Sequence, residues 1–489
     1  MNPVDLSIFL FYIVGLLAFG YYFHRTNQGG DDYYVGGRNM NSLHIGLSVV
    51  ATDVGGGFSI GLGGLGFVMG ISGSWMLFTG LIGAWLAAVF LIPKVKSNPA
   101  FANAYTFPDI FKHYYTPGVA LLAGIISAVG YIGFTSSQLL AGAKLASGTF
   151  VDLDLTTALL IMGVVAVVYT VMGGIKAVIY TDTIQWSLLM GGLVFVGLPI
   201  SYVAVGGMEG IRETVPPEML RMDQLSWQDV VYWSVTIIPI WFVGMTLYQR
   251  IYASRDEKTA KRAWFLAGLF EWPLMAFMGV ALGLFARVAA DQGLFLPLGA
   301  EDASEIDPET GLPMLLRTVL PVGLMGVMMA SYFSAILSTA DSCLMASSGN
   351  VMSDILPMIR RRTSSGSARK EDVNESDPGS VHASQFVTLA LGALALLLAW
   401  QMENVLELML YSYAFMVSGL FVPLVGALWS KRGTWQGAMA SMLAGGSTTV
   451  ILQLAVDNLP MGLDANVFGI SISALVYIVV SFLTQPSSN

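Results

Sequence analysis

The sequence predicts an all-α polytopic membrane protein with thirteen transmembrane helices, some of them discontinuous. The first observation is composition: 55% of the 489 residues are hydrophobic and 11% are charged, whereas soluble domains carry roughly 25% charged residues. The second is a mean hydropathy of +0.67. The third is the alternation of apolar stretches of membrane-spanning length with short polar or Gly/Pro-rich segments. Too few charges remain to cover a soluble protein of this size.

Composition also argues against several classes of function. The formal net charge of −9, without a long basic run, disfavours nucleic acid as a partner. The single cysteine, Cys343, excludes an intrachain disulfide framework, and four histidines disfavour a multi-histidine metal centre. The sequence shows neither a P-loop signature nor an appended domain. We therefore expect a protein that is not an enzyme, needs no organic cofactor and uses an ion gradient for any uphill work.

The apolar stretches define the expected spans. The first follows Asp5 rather than a lysine or arginine and has no small-residue cleavage site, which is typical of a retained span rather than a signal peptide. The thirteen expected spans are 6–23, 43–70, 74–95, 118–147, 156–174, 182–206, 228–251, 263–290, 315–352, 384–401, 405–428, 435–456 and 465–484.

The distribution of positive charge predicts the orientation. Lysine and arginine accumulate in cytoplasmic loops. With the N-terminus outside, 18 of the 23 lysines and arginines, Arg250 among them, fall on the cytoplasmic side. The outer side keeps Lys144, Arg212, Arg221, Arg287 and Arg317. We expect a multi-pass protein of the cell membrane (inner or plasma membrane), with an external N-terminus and a cytoplasmic C-terminus.

The second span contains an acidic residue next to a glycine run. Asp53 precedes Gly55, Gly56 and Gly57 in ATDVGGGFSIG. Each glycine costs a helix about 1 kcal/mol relative to alanine, and an interrupted membrane helix is tolerated where it lines a cavity or binds ions and solute. We therefore expect a break and a binding site here. Glycines that only permit close helix packing are the alternative interpretation.

The ninth span carries a row of oxygen-bearing side chains. Ala335, Ser338, Thr339 and Ser342 share one helical face in SAILSTADS, and Asp341 lies beside it. Hydroxyls and a carboxylate suit a hard cation, although interhelical hydrogen bonding is the commoner use of such residues.

Other candidates are less specific. Asp182, at the start of the sixth span, is either a buried acid or an interfacial helix-start residue. Pro239 predicts a kink or break in the seventh span, with Trp241 close behind it. Tyr131 and Tyr413 lie in the middle of other spans, where aromatic side chains serve packing more often than binding.

Five motifs resemble those of the sodium:solute symporter family over essentially the whole chain. They are DDYYVGGRNM, ATDVGGG, YTFPDIF, GGIKAVIYTDTIQ and SAILSTADS. The resemblance implies thirteen spans, an external N-terminus and a LeuT-like core of two five-helix inverted repeats with discontinuous helices. The implied divisions are 1–42, the first helix and a cytoplasmic loop; 43–207, the first repeat; 208–227, an external loop; 228–430, the second repeat, with an acidic external loop at 293–313 and a cytoplasmic linker at 357–383; and 431–489, two C-terminal helices.

The resemblance also implies ion sites. A first sodium site would use the backbone carbonyls of Ala51, Val54 and Ala335 and the hydroxyls of Ser338 and Thr339. A second site, present in some members, maps to Asp182, Ser338, Asp341 and Ser342. Other members have serine where this chain has Asp341, and a carboxylate there either strengthens cation binding or lets a proton substitute for sodium.

The resulting hypothesis is sodium-coupled symport of a small organic solute by alternating access. Within the family, the SxADS and YQR stretches are similar to choline transporters, whereas Asp53 is similar to proline transporters. No lysine or arginine lies in the middle of an expected span, so backbone amides would bind a solute carboxylate. We expect an amine-containing or zwitterionic solute, such as an amino acid, a proline-like compound, choline or betaine. Asp53, Gly55, Gly56, Gly57, Tyr131, Trp241 and Tyr413 are the candidate solute residues.

Several alternatives stay open at this point. Uptake of a sugar or a monocarboxylate is one, and a passive ion channel or a transport-inactive sensor is another. We also expect the lipid bilayer as a partner. The protein is expected to be monomeric or weakly oligomeric.

Overall fold

The computed structural model describes the chain with five internal gaps, and within the described ranges it forms helices and no β-strand. These ranges are 2–26, 35–53, 55–150, 153–363, 378–456 and 458–485. In the first half the helices are α1 (Pro3–Thr26), α2 (Ser42–Asp53), α3 (Gly56–Met69), α4 (Trp75–Leu86), α5 (Ile92–Lys96), α6 (Pro108–Tyr114), α7 (Pro117–Thr149), α8 (Leu155–Gly192), α9 (Leu198–Ala204) and α10 (Gly207–Thr214).

The second half is helical as well. Its helices are α11 (Trp227–Val243), α12 (Met245–Ala253), α13 (Glu257–Leu269), α14 (Ala276–Asp291), α15 (Pro308–Val319), α16 (Leu324–Asn350), α17 (Leu356–Thr363), α18 (Pro378–Ala399), α19 (Val405–Trp429), α20 (Trp435–Ala455) and α21 (Ala465–Leu483). Short π-helical segments join α4 to α5, α8 to α9, α13 to α14 and α16 to α17.

The count of thirteen spans is not confirmed. By length and apolarity, the described residues contain 11 helices able to cross a membrane, or 12 if α11 and α12 form one bent span. The stretch Ile60–Lys96 counts once, although the sequence suggested two spans there. The break in the second expected span leaves α2 with only 12 residues, whereas a crossing helix needs about 20.

Within the described ranges, two expected spans contain a break, one near the start of each expected repeat. The chain leaves the helical conformation between α2 and α3, where Gly55 has φ −67° and ψ −156°. It bends by 41° between α11 and α12 at Gly244. Met40, just before α2, is also bonded to the end of α12: its amide donates to the Ala253 carbonyl at 3.0 Å. The residue that leads into α2 is therefore bonded to the C-terminal end of α12.

The break in the seventh span is displaced from its expected position. Helix α11 continues through Pro239 to Val243, and the bend comes at Gly244. Proline has no amide hydrogen and leaves the carbonyl four residues earlier without its helical donor. Here that carbonyl, on Val235, accepts from the side chain of Asn466 in α21 at 3.3 Å. The helix tolerates Pro239 because the last helix supplies the missing donor.

Helix α16 lies at the centre of the bundle and is almost entirely buried. It packs against α1, α2, α7, α8 and α18. Its first turn is held by α1, because the Asp5 carboxylate accepts from the amides of Gly323 and Gly326 at 2.7 and 2.8 Å. Tyr12 of α1 also donates to Ser334 of α16 at 2.6 Å. The first helix thus fixes the position of the central helix.

A buried ion cluster joins three other helices. Lys144 of α7 lies 2.7 Å from Glu309 of α15 and 2.6 Å from Asp307. Glu309 also accepts from the amides of Val405 and Leu406 at the start of α19, both at 2.9 Å. The Glu309 carboxylate therefore pairs with a lysine and caps a helix, and these contacts offset the cost of burying the carboxylate.

Candidate sodium and solute site

The break between α2 and α3 lies tightly against two neighbouring helices. A methyl group added to Gly55 would overlap the side chain of Thr339 on α16 and meet Gln138 Oε1 on α7 at 2.6 Å. At Gly56 it would collide with Ala141 and Ile336. The glycines therefore permit close approach of both helices to the break. Of the other candidates here, Val54 and the Asp53 side chain lie outside the described residues, and so do the surroundings of Gly57.

The hydroxyl row of α16 faces this break. Thr339 Oγ1 donates to the Ala51 carbonyl at 2.8 Å and lies 3.4 Å from the Ala335 carbonyl. Thr339 and Ser338 are both buried. The structure thus brings three of the predicted first-site oxygens together at the junction of α2 and α16, with Ser338 adjacent on the same helix.

The residues of the predicted second site divide into two groups. Ser338 donates to Asp182 Oδ1 at 2.5 Å, and Ser48 of α2 donates to the other oxygen of that carboxylate. Asp182 is fully buried, so of its two sequence interpretations the buried acid is the one observed. Asp341 instead accepts from Thr170 of α8.

Sequence reasoning missed Arg250. The sequence placed it at a membrane face, but the bend at Gly244 directs α12 inward and the side chain is fully buried. Its Nη2 donates to Thr52 and Ser342, each at 2.7 Å, and lies 3.5 Å from Asp182. The YQR motif was the available signal, but the sequence did not show which way its arginine points.

Two of the three aromatic candidates share a neighbour. The ring of Phe134 packs edge-on against Tyr413 at 4.9 Å between centroids, and lies 6.3 Å from the ring of Tyr131. Tyr131 also accepts from the amide of Thr246, just after the second break, at 3.2 Å. Trp241 is fully buried and packs on α4, where a methyl group at Gly83 would overlap its indole.

Gln138 is a second residue that sequence reasoning missed. It is fully buried on α7, and its Nε2 donates to Ser137 at 3.1 Å. Its Oε1 has no hydrogen-bond partner in the described part of the chain. A buried acceptor without a donor is costly, and this one lies beside Gly55 at the helix break. The only signal was its spacing from Tyr131 and Phe134, which puts all three on one face of a helix.

Comparison with known proteins defines the family. The family model for sodium:solute symporters matches residues 33–445, which is most of the chain. The chain belongs to the sodium:solute symporter family. As a member it is a multi-pass protein of the plasma membrane that couples the movement of Na⁺ to the uptake of a small organic solute, as the sequence predicted. The resemblance carried by the five motifs is thereby confirmed.

This symporter has curated bacterial relatives along nearly its full length. It is 27% identical over 487 residues to the high-affinity proline transporter PutP of Bacillus subtilis, covering 97% of each chain. It is 25% identical over 453 residues to the sodium/pantothenate symporter of Escherichia coli, covering 90% of this chain and 89% of the relative. Relatives of similar identity therefore carry names with different solutes.

A solved structure supports the fold. A Na⁺-coupled sialic acid symporter in a substrate-bound, outward-open state superimposes with a TM-score of 0.79 at 21% identity, covering 100% of this chain and 99% of that one. The predicted all-α, LeuT-like fold class with discontinuous helices is confirmed.

Proposed function

We propose that this symporter carries a small amino or imino acid into the cell together with Na⁺, and that proline is the first solute to test. The family membership supports the coupling, and the name of the B. subtilis relative supports the solute class. The observation that carries the proposal is the contact between Thr339 and the Ala51 carbonyl at the helix break.

The first ion set suits Na⁺ chemically. Two backbone carbonyls, those of Ala51 and Ala335, converge on the Thr339 hydroxyl, and hard cations prefer such oxygen ligands. Ser338 donates its proton to Asp182, so its lone pairs stay available to a cation. We assign Na⁺ to these four residues, with the Val54 carbonyl as the fifth ligand implied by the family. Sodium, rather than a proton, is then the coupling ion.

The same break offers groups that match a zwitterion. Helix α3 begins at Gly56, and the amides of a helix N-terminus favour a carboxylate. Gln138 Oε1, which has no partner among the described residues and lies beside Gly55, can accept a hydrogen bond from the solute nitrogen. Tyr131 and Tyr413 supply an aromatic surface for the carbon skeleton. Asp53, Gly57 and Trp241 stay in the proposed solute set on the basis of sequence.

In the proposed cycle, Na⁺ stabilises the contact between α2 and α16 and thereby completes the solute pocket. Rearrangement of the bundle then opens the site to the cytoplasm.

The N-terminus lies outside and the C-terminus inside. No covalent step is involved, so the protein is a transporter and not an enzyme, and one subunit contains every site. Each charge that enters supplies about 2.3 kcal/mol per 100 mV, enough for roughly 50-fold accumulation.

Counterflow in proteoliposomes tests the proposal. Vesicles loaded with unlabelled proline should accumulate labelled proline in sodium and not in potassium. Competition by prolinamide, betaine, choline, pantothenate and glucose then defines the solute class, with prolinamide weak because it lacks the carboxylate. Proline flux without a sodium requirement would indicate a passive pathway, and sodium-dependent exchange of another competitor alone would overturn the solute assignment.

A further inference from the structure

A guanidinium is enclosed where the second cation site was expected. Arg250 Nη2 lies 2.7 Å from Thr52 Oγ1 and 2.7 Å from Ser342 Oγ. Its Nε donates to Ser48 at 3.2 Å, and Asp182 lies 3.5 Å away. All five side chains are buried, and they come from α2, α8, α12 and α16. Hydroxyl and carboxylate oxygens from three helices thus surround one permanent positive charge.

The guanidinium is the charged partner of one residue of the expected second site and a hydrogen-bond donor to another. Asp182 is fully buried and lies 3.5 Å from Arg250, and Ser342 accepts from the same guanidinium. A buried carboxylate without a partner is strongly destabilising, and Arg250 supplies that partner. Asp341 instead accepts from Thr170. Ser338 bonds to Asp182 and connects this pair to the proposed sodium site at Ala51, Ala335 and Thr339.

We propose that Arg250 is a tethered cation that takes the second cation position, so that one Na⁺ accompanies each solute molecule. This inference rests on the proposed sodium-coupled function and specifies its stoichiometry. Arg250 reaches the position because the bend at Gly244 directs α12 toward α2 and α16. The sequence-based second site is then not a sodium site in this chain, although its oxygens are present.

The proposal predicts how neutral substitution changes the ion count. Arg250→Gln leaves Asp182 without its cationic partner beside the oxygens of Ser342 and Thr52, and the freed position should then bind a second Na⁺. The flux ratio of labelled sodium to labelled solute in proteoliposomes should rise from about 1 to about 2. The Hill coefficient for sodium activation should rise as well. Arg250→Lys keeps the charge and should keep the ratio at about 1. Arg255→Gln, an exposed arginine nearby, is the matched control and should change nothing.

A binding measurement covers the case in which Arg250→Gln does not transport. In purified protein without solute, the melting temperature rises with the logarithm of sodium concentration in proportion to the number of sites filled. The slope for Arg250→Gln should be about twice that of wild type. Asp182→Asn combined with Arg250→Gln removes both charges and should return the slope to the wild-type value.

The outcomes separate this inference from the proposed function. A wild-type ratio of 2, or a properly folded Arg250→Gln protein with the wild-type melting slope, would overturn the tethered cation while leaving sodium-driven uptake intact. Wild-type protein without any sodium-dependent counterflow would instead overturn the proposed function itself.

Discussion

The two helix breaks satisfy their backbone in different ways. At the second, the glycine at the break is bonded locally: the amide of Gly244 donates to the Ile240 carbonyl at 2.8 Å, and the Gly244 carbonyl accepts from Leu247 at 3.0 Å. At the first, the Ala51 carbonyl takes its donor from Thr339 on another helix. The first break is therefore a junction between helices, and the second is a bend within one.

This difference assigns the two breaks different roles. A junction held by one hydroxyl can be strengthened by an ion that binds the same oxygens, so its geometry depends on sodium. A bend whose glycine is bonded to its own neighbours keeps its shape and places side chains, among them Arg250 and the Tyr131 partner Thr246. We expect ion coupling at the first break and fixed geometry at the second.

Alanine at each glycine is the strongest test of this contrast. Gly55→Ala would drive a methyl group into Thr339 and Gln138, so sodium-driven uptake should fall by roughly 100-fold. Gly244→Ala meets its nearest atoms at 3.0 to 3.2 Å with an ordinary φ of −66°. Its uptake should stay within about fivefold of wild type. Equal losses in the two variants would contradict the assignment.

Removing only the hydroxyl of Thr339 should separate ion binding from packing. Thr339→Val keeps the shape but removes the oxygen bonded to Ala51. The sodium concentration for half-maximal uptake should therefore rise by about 10-fold to 100-fold. Thr339→Ser retains the hydroxyl and should stay within about threefold. An unchanged sodium requirement in Thr339→Val would show that the hydroxyl has only a structural role.

At the second break, the corresponding change should affect the solute instead. Tyr131→Phe removes the hydroxyl bonded to Thr246, so the KM for solute should rise by about fivefold, which corresponds to about 1 kcal/mol. Half-activation by sodium should not move. Tyr115→Phe is the control, because that hydroxyl is bonded to the Pro423 carbonyl on α19. A shift in the sodium requirement of Tyr131→Phe would contradict separate roles and show that the two breaks act as one site.

The smallest expected effect concerns stability. Asn466→Leu leaves the Val235 carbonyl without its donor and should cost about 1 to 2 kcal/mol, seen as a lower melting temperature in detergent. Pro239→Ala restores a helical amide, so Asn466→Leu should cost much less in that background. Additive losses in the double variant would rule out the compensation between Pro239 and Asn466.

Sequence reasoning succeeded where the signal was local. The glycine run predicted the break at Gly55, and the spacing of Ser338 and Thr339 predicted the face that meets it. It failed where a distant residue decides the outcome. Asn466, in the last helix, allows α11 to pass Pro239, and the burial of Arg250 depends on three helices converging around it. Gln138 gave only its spacing from Tyr131 and Phe134, which many packing residues share, because its surroundings are set by the helix opposite.

The cluster at Glu309 allows the transport cycle to be followed with a fluorophore on the water-exposed surface. Glu309 holds Lys144 of α7 and the first amides of α19 together, so separation of these helices must break one of its bonds. Glu305, four residues before Glu309 and ahead of α15, is exposed, and the only native cysteine, Cys343, is buried. A fluorophore attached through Glu305→Cys would therefore signal that separation without a label touching the ion or solute residues.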